Sequence, residues 1–203
     1  MDFYRIRRVA SSAGGDKVCR TAASADLEDI VELDRDVWAD IHAIDNAHTW
    51  RLWIDYATVL VIKDRGWLMG VAVAFPAGGV EGIYLLHKIF VRKEVRRQRF
   101  GTHLLTTALH SLRVQTQRLP VRQGASPRVR LTVSPHNVEA KKLYTNFGFD
   151  TLWTETDYYG PGEARTIMQK LLIPTSDSEK ETPVFPEKML PKVVAPSRYC
   201  SGS

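Results

Sequence analysis

Two cysteines in 203 residues, Cys19 and Cys200, are too few and too far apart for a disulfide framework or a zinc site, so no metal is expected. Long apolar runs are also missing: nothing approaches the roughly 20 residues that cross a bilayer. The basic stretch Met1–Val9 is not followed by the apolar core of a signal peptide. These absences leave a cytoplasmic protein with no membrane partner as the expectation. The glycine-rich phosphate loops are absent too, since there is neither a Gly-Lys-Ser/Thr ending nor a dinucleotide fingerprint.

What is present suits one globular domain, with 44% hydrophobic and 25% charged residues. The net charge of +5 hides an asymmetry. From Thr21 to Ala57 nine acids face only Arg35 and Arg51, a net of −7, and the rest of the chain therefore carries +12. A protein that merely coated nucleic acid has little use for so acidic a segment, and no RNA- or DNA-binding module is recognisable, so no nucleic-acid partner is expected. Two partners of opposite charge fit the division better.

Periodicity predicts an α+β chain in the order β-α-α-β-β-β-α-β-α-β-β, with about seven strands. Residues 1–17, ending in "SSAGGD", read as an extension, 18–173 as the domain, and 174–203 as a proline- and serine-rich tail. Val18–Ala22 is the first strand. Ser24 or Asp26 caps a helix carrying Leu27, Ile30, Val31, Leu33 and Val37 as its apolar stripe. "AHTWRLWIDYA" is a second helix. "TVLVIKD" and "WLMGVAVAF" form a hairpin about Arg65-Gly66, and Ile83–Val91 is a long strand. A helix runs from Thr102 to about Val114, "VRLTV" is a buried strand, and Asn137 starts a helix that Gly148 ends. Leu152–Tyr158 and Ala164–Leu172 close the domain.

One stretch carries chemistry. In "KIFVRKEVRRQRFGTHLL" five cations (Arg92, Lys93, Arg96, Arg97 and Arg99) crowd into eight residues between a strand and a helix. Successive backbone N–H groups and a helix N-terminus converge on an anion in that geometry. Gly101 lets the backbone approach it, and Thr102 adds a hydroxyl. A solvated basic turn is the plainer alternative.

The stretch resembles the acetyl-CoA loop of the GCN5-related N-acetyltransferase (GNAT) superfamily, Arg/Gln-x-x-Gly-x-Gly/Ala, at Arg96-Arg97-Gln98-Arg99-Phe100-Gly101. Arg99 stands where the family has glycine. It fits only with ordinary backbone angles and its side chain turned outward, where it could reach the phosphates. A second signature, Asn-x-x-Ala-x-x-Leu-Tyr-x-x-x-Gly-Phe, falls on Asn137, Ala140, Leu143, Tyr144, Gly148 and Phe149. The resemblance implies a mixed, mostly antiparallel sheet with helices on both faces, and acetyl-CoA as co-substrate without a metal. It places the co-substrate on Ile89, Phe90, Val91, Arg96, Arg97, Gln98, Arg99, Phe100, Gly101, Thr102, Asn137 and Tyr144.

Acetyl transfer to an amine needs a neutral amine, a polarised carbonyl and a proton for the departing thiolate. The resemblance makes Tyr144 the general acid and the backbone of Ile89–Val91 the oxyanion donor. The glutamates that serve as base in two branches of the family are Leu85 and Thr132 here. His87, on the same strand face as Leu85, is the candidate base; Glu81 or a water chain are the alternatives. The acceptor site implied by the family falls on Trp38, Asp40, Glu81, His87 and Tyr159. Carboxylates and indoles around Trp38, Trp50 and Trp53 favour a cationic small amine. "YYGPGEARTIM" resembles instead the hairpin of protein N-terminal acetyltransferases, which leaves a peptide N-terminus as an alternative. A non-catalytic acyl-CoA-binding module is the third, and a monomer or homodimer is expected.

Overall fold

The computed structural model describes residues 8–10, 16–38, 46–77, 82–118, 124 and 126–172. Along the chain come β1 (Arg8–Ala10), β2 (Asp16–Thr21), α1 (Leu27–Trp38), α2 (Ala47–Tyr56), β3 (Thr58–Asp64) and β4 (Trp67–Pro76). They are followed by β5 (Ile83–Val91), α3 (Phe100–Arg118), β6 (Arg128–Val133), α4 (Val138–Asn146), β7 (Asp150–Glu155) and β8 (Arg165–Leu171). The seven expected strands and four helices form in the expected order. An eighth strand, β1, lies inside the stretch read as an extension, where Arg8, Val9 and Ala10 pair with Val18, Lys17 and Asp16. The expected tail at 174–203 lies outside the described residues.

Strict alternation along β3 and β4 builds the middle of the molecule. Leu60, Ile62, Ala72 and Ala74 point to one face, and Val59, Val61, Val71 and Val73 to the other. A strand buried on both faces needs a helix layer on each. α3 covers the first with Phe100, Leu104, Leu105, Ala108 and Leu112, and Tyr144 of α4 joins the same core. α1 and α2 cover the second with Ile30, Leu33 and Trp50. Each fully buried large side chain contributes about 1.5–3 kcal/mol, so these layers hold the sheet in place.

The sheet order is β1-β2-β3-β4-β5-β6-β8-β7, antiparallel throughout except between β5 and β6. Arg65 (φ 50°) and Gly66 (φ 86°) turn the β3–β4 hairpin with two left-handed residues, the geometry that matches strand twist. Gly70 of β4 is obligatory for another reason. A Cβ there would lie 2.7 Å from Phe90 O and 3.0 Å from Leu104 Cδ1, so the first turns of α3 could not close on β4.

The helix ends follow from local chemistry. Asn46 accepts from Thr49 N at 2.9 Å and starts α2, and Asn137 accepts from Ala140 N at 3.1 Å and starts α4. α1 is entered through a 3-10 turn, Ser24–Asp26, where Asp26 accepts from Ala23 N at 2.8 Å. Gly148, at φ 77°, ends the α4 segment as expected.

Candidate functional site

The parallel pair β5–β6 is bonded only at Ile83–Arg128, Tyr84–Val129 and Leu85–Arg130. Beyond that point the two strands part. β6 runs on to Val133 against β8, and β5 runs on to Val91 against β4. The edge of β5 that faces the gap therefore has no ladder partner among the described residues from Leu86 to Val91. Along Ile89–Val91 the backbone N–H groups alternate between β4 and this open edge, so only those pointing to the edge are available to a ligand.

The cation-rich stretch leaves the same end of β5. Arg92 is held to β4, its backbone N–H donating to Met69 O at 2.8 Å and its Nε to Leu68 O at 2.7 Å. Lys93–Val95 makes a 3-10 turn, and α3 begins when His103 N donates to Arg99 O at 3.0 Å. The N–H groups of Phe100, Gly101 and Thr102 precede that bond, as the first turn of any helix requires. Arg97 and Arg99 both have φ 65°. This corrects the expectation of ordinary angles at Arg99: the side chain is exposed, but the backbone takes the left-handed form that glycine usually supplies. Between them the Gln98 N–H donates to Val95 O at 3.4 Å, which folds the loop back on the 3-10 turn before α3 begins.

α4 is docked beside this loop. Arg97 pairs with Glu139 at 2.9 Å, and Leu143 Cδ2 is the nearest atom to a Cβ built on Gly101, at 3.8 Å. Tyr144 is consequently brought to the start of α3. It is buried, its ring 5.7 Å from that of Phe149, and burial pushes its phenol well above the ordinary range. Burial thus favours the neutral hydroxyl, which can both donate and accept a hydrogen bond. Asn137 is exposed, and its side-chain oxygen is committed to the α4 cap.

His87 sits at a β-bulge. Lys88 opposes Val73 and Leu86 opposes Ala74, so His87 is the extra residue. Its ring lies 5.0 Å from Trp53 and 5.6 Å from Phe75. The acidic segment on α1 differs from the expected open surface. Asp26 pairs with Arg20 and Lys63, Asp29 with Lys63, Asp34 with Lys88 and Asp36 with Arg92. Its acids serve largely to dock α1 on strand cations. The indoles of Trp38, Trp50 and Trp53 surround the Lys88 ammonium rather than an open site.

Of the expected acceptor residues, Trp38 is half-buried in this cluster and His87 lies next to it. Tyr159 is exposed on the loop before β8, stacked edge-on to Tyr158 at 4.7 Å with the Arg165 guanidinium 4.9 Å from its ring. Asp40 and Glu81 lie outside the described residues. The bulge and the Lys88–Asp34 pair were missed. The signal was there: His87 and Lys88 are consecutive polar residues in a strand whose apolar alternation changes phase across them.

The chain matches the acetyltransferase (GNAT) family over residues 27–149. No curated protein sequence matches it. The fold is that of the ribosomal-protein-S18-alanine N-acetyltransferase of Escherichia coli, with TM-score 0.62 and 18% identity over 80% of this chain and 97% of that one. Naa50 of Arabidopsis thaliana, solved with a bisubstrate analogue CoA-Ac-MVNAL, gives TM-score 0.61 and 16% identity over 76% and 97%. An aminoglycoside 6'-acetyltransferase type Ii gives 0.63 and 17% over 78% and 99%. With the family matched across the parted strands, the cation loop and α4, the chain belongs to the GNAT acetyltransferases.

Proposed function

We propose that this chain transfers the acetyl group of acetyl-CoA to a primary amine by direct attack on the thioester, and that the amine is a peptide N-terminus. The observation that carries the reaction is the gap between β5 and β6, which opens next to a left-handed, arginine-rich loop at a helix N-terminus. The loop from Arg96 to Thr102 holds the pyrophosphate of the co-substrate. Asn137, with its oxygen used by the cap, offers its NH2 donors to the same molecule. The thioester carbonyl accepts from backbone N–H groups of Ile89–Val91, which stabilise the oxyanion as the amine adds. His87 takes the proton the amine must lose, the C–S bond breaks, and the Tyr144 hydroxyl supplies a proton to the leaving sulfur.

The acceptor follows from what occupies the tryptophan cluster. A cationic small amine would need the carboxylate and indoles of α1 and α2, and Lys88 already fills that place. The exposed Tyr158–Tyr159 pair on the loop before β8 is an amphipathic surface suited to a peptide. Similarly folded proteins include both a ribosomal-protein acetyltransferase and an aminoglycoside acetyltransferase, so fold alone does not choose.

Thiol release from acetyl-CoA over a panel of N-terminal peptides, polyamines and an aminoglycoside tests this. The expected result is a kcat/KM for at least one peptide that is about 10-fold or more above any small amine. The reverse order moves the acceptor to small amines. Cofactor binding with no thiol release on any amine reduces the chain to an acyl-CoA-binding module.

A further inference from the structure

Tyr84 and Leu86 of β5 point into the α3 core, so a strand of unbroken two-residue period would send Lys88 and Phe90 there as well. The bulge at His87 sends them to the other face, where Phe90 joins the α1–α2 core. Lys88 Nζ donates to Asp34 Oδ1 at 3.0 Å, the two side chains being 10% and 0% exposed. Trp50 Nε1 donates to the other oxygen, Oδ2, at 3.2 Å. The ammonium lies 5.6 Å from the ring centroid of Trp38, 5.8 Å from Trp50 and 5.9 Å from Trp53. Carboxylate and indole faces together are a strong and selective place for a cation. The opposite face offers Lys88 only the apolar surroundings of Tyr84 and Leu86, where a buried ammonium is prohibitive.

We propose that the Lys88–Asp34 pair is a register lock for β5, and that both are positioning residues for acetyl transfer. Removing the bulge by a one-residue slip would exchange the two faces, and with them the two edges, for every residue from Lys88 to Val91. The N–H groups that face the gap would then turn toward β4, and those bonded to β4 would turn toward the gap. The pair thus decides which of the Ile89, Phe90 and Val91 amides meet a thioester, and it keeps His87 between Trp53 and Phe75. Nothing in this role requires either side chain to touch the substrate. The inference rests on the acetyl-transfer reading given above.

The test is the double substitution Asp34→Leu with Lys88→Met, which replaces the pair by apolar groups of similar volume and leaves no orphan charge. The expected result is a folded protein whose CoA affinity changes by less than about 3-fold. Its kcat at saturating acetyl-CoA falls about 10- to 100-fold, the scale of a small misplacement of reacting groups. Amide hydrogens of Ile89–Val91 exchange faster than in the parent, while those of α3 do not. A folded double variant with kcat within about 2-fold of the parent overturns the lock, and so does an equal fall of kcat and CoA affinity. Should the double variant fail to fold, Asp34→Asn decides. It keeps the shape and weakens the pair, and an unchanged kcat overturns the proposal. If the parent acetylates no amine, the acetyl-transfer reading fails by itself; amide exchange at Ile89–Val91 then judges the lock, and unchanged exchange sinks it.

Discussion

Arg97 and Arg99 carry an unusual burden for single residues, each at φ 65° in a loop where a glycine would be at ease. The left-handed conformation costs an L-residue about 1–2 kcal/mol, part of which glycine returns through its freer unfolded chain. Arg99→Gly is therefore expected to raise stability by about 0.5–1 kcal/mol in urea denaturation. It is also expected to weaken CoA binding, through loss of the proposed guanidinium contact with the phosphates; unchanged affinity removes Arg99 from the phosphates. Tyr144 poses the complementary case. Tyr144→Phe should leave CoA affinity and melting temperature near the parent values while kcat falls about 100-fold or more. Loss of affinity with kcat intact would make Tyr144 a binding residue only. The identity of both positions was legible from motif spacing, but a dihedral angle at an arginine was not, because nothing in the one-letter code separates Arg99 from an ordinary loop residue.

At the scale of elements, α1 is fastened to the sheet by a polar joint at its first turn. Arg20 of β2 forms a two-point contact with Asp26, at 2.6 and 2.7 Å, and Lys63 of β3 bridges Asp26 and Asp29 at 3.0 and 2.9 Å. Burial pushes the Asp26 carboxyl up, but Arg20, the Ala23 N–H and Lys63 outweigh it and hold the pKa at about 2. A carboxylate depressed in the folded state stabilises it above the unfolded pKa, near 4, and that contribution is lost as pH falls from there toward 2. Parent protein should therefore lose about 1–2 kcal/mol between pH 5 and 2 that an Asp26→Asn variant lacks, measured by denaturation at each pH. Asp26 was legible as a helix-start residue; its cations on β2 and β3 were not, since they come from strands whose register no local pattern gives. Helix α4 was legible almost to the residue, because Asn137 and Gly148 mark its ends chemically, and α2 was legible as the stretch "AHTWRLWIDYA". The bulge in β5 was hidden for the opposite reason. It shows only as a phase change in alternation, which reads as a surface-facing His-Lys pair until the second helix layer is in place.

For the whole molecule, the charge asymmetry that suggested two external partners resolves in part into internal docking, with Asp26, Asp29 and Asp34 held by cations on β2, β3 and β5. The arginine-rich loop is different, with Arg97 85% exposed on its side chain. A ligand that binds only the native state raises stability by about 2.7 kcal/mol at a hundred times its Kd, a rise of roughly 5–10 °C in Tm for a domain of this size. CoA is expected to give such a shift, and Glu139→Ala, which frees Arg97 from its salt bridge, should leave that shift equal or larger. No shift at saturating CoA would remove the co-substrate altogether. The parting of β5 and β6 has a mechanical side as well. Strands β1 to β5 form one plate and β6, β8 and β7 another, and the seam between them is three residue pairs long. Backbone bonds thus tie the two plates together sparingly, and the shared core under α3 carries the rest of the join. A co-substrate bound between the plates is expected to work as a wedge that braces them against each other, slowing amide exchange in β7 and β8 of the far plate.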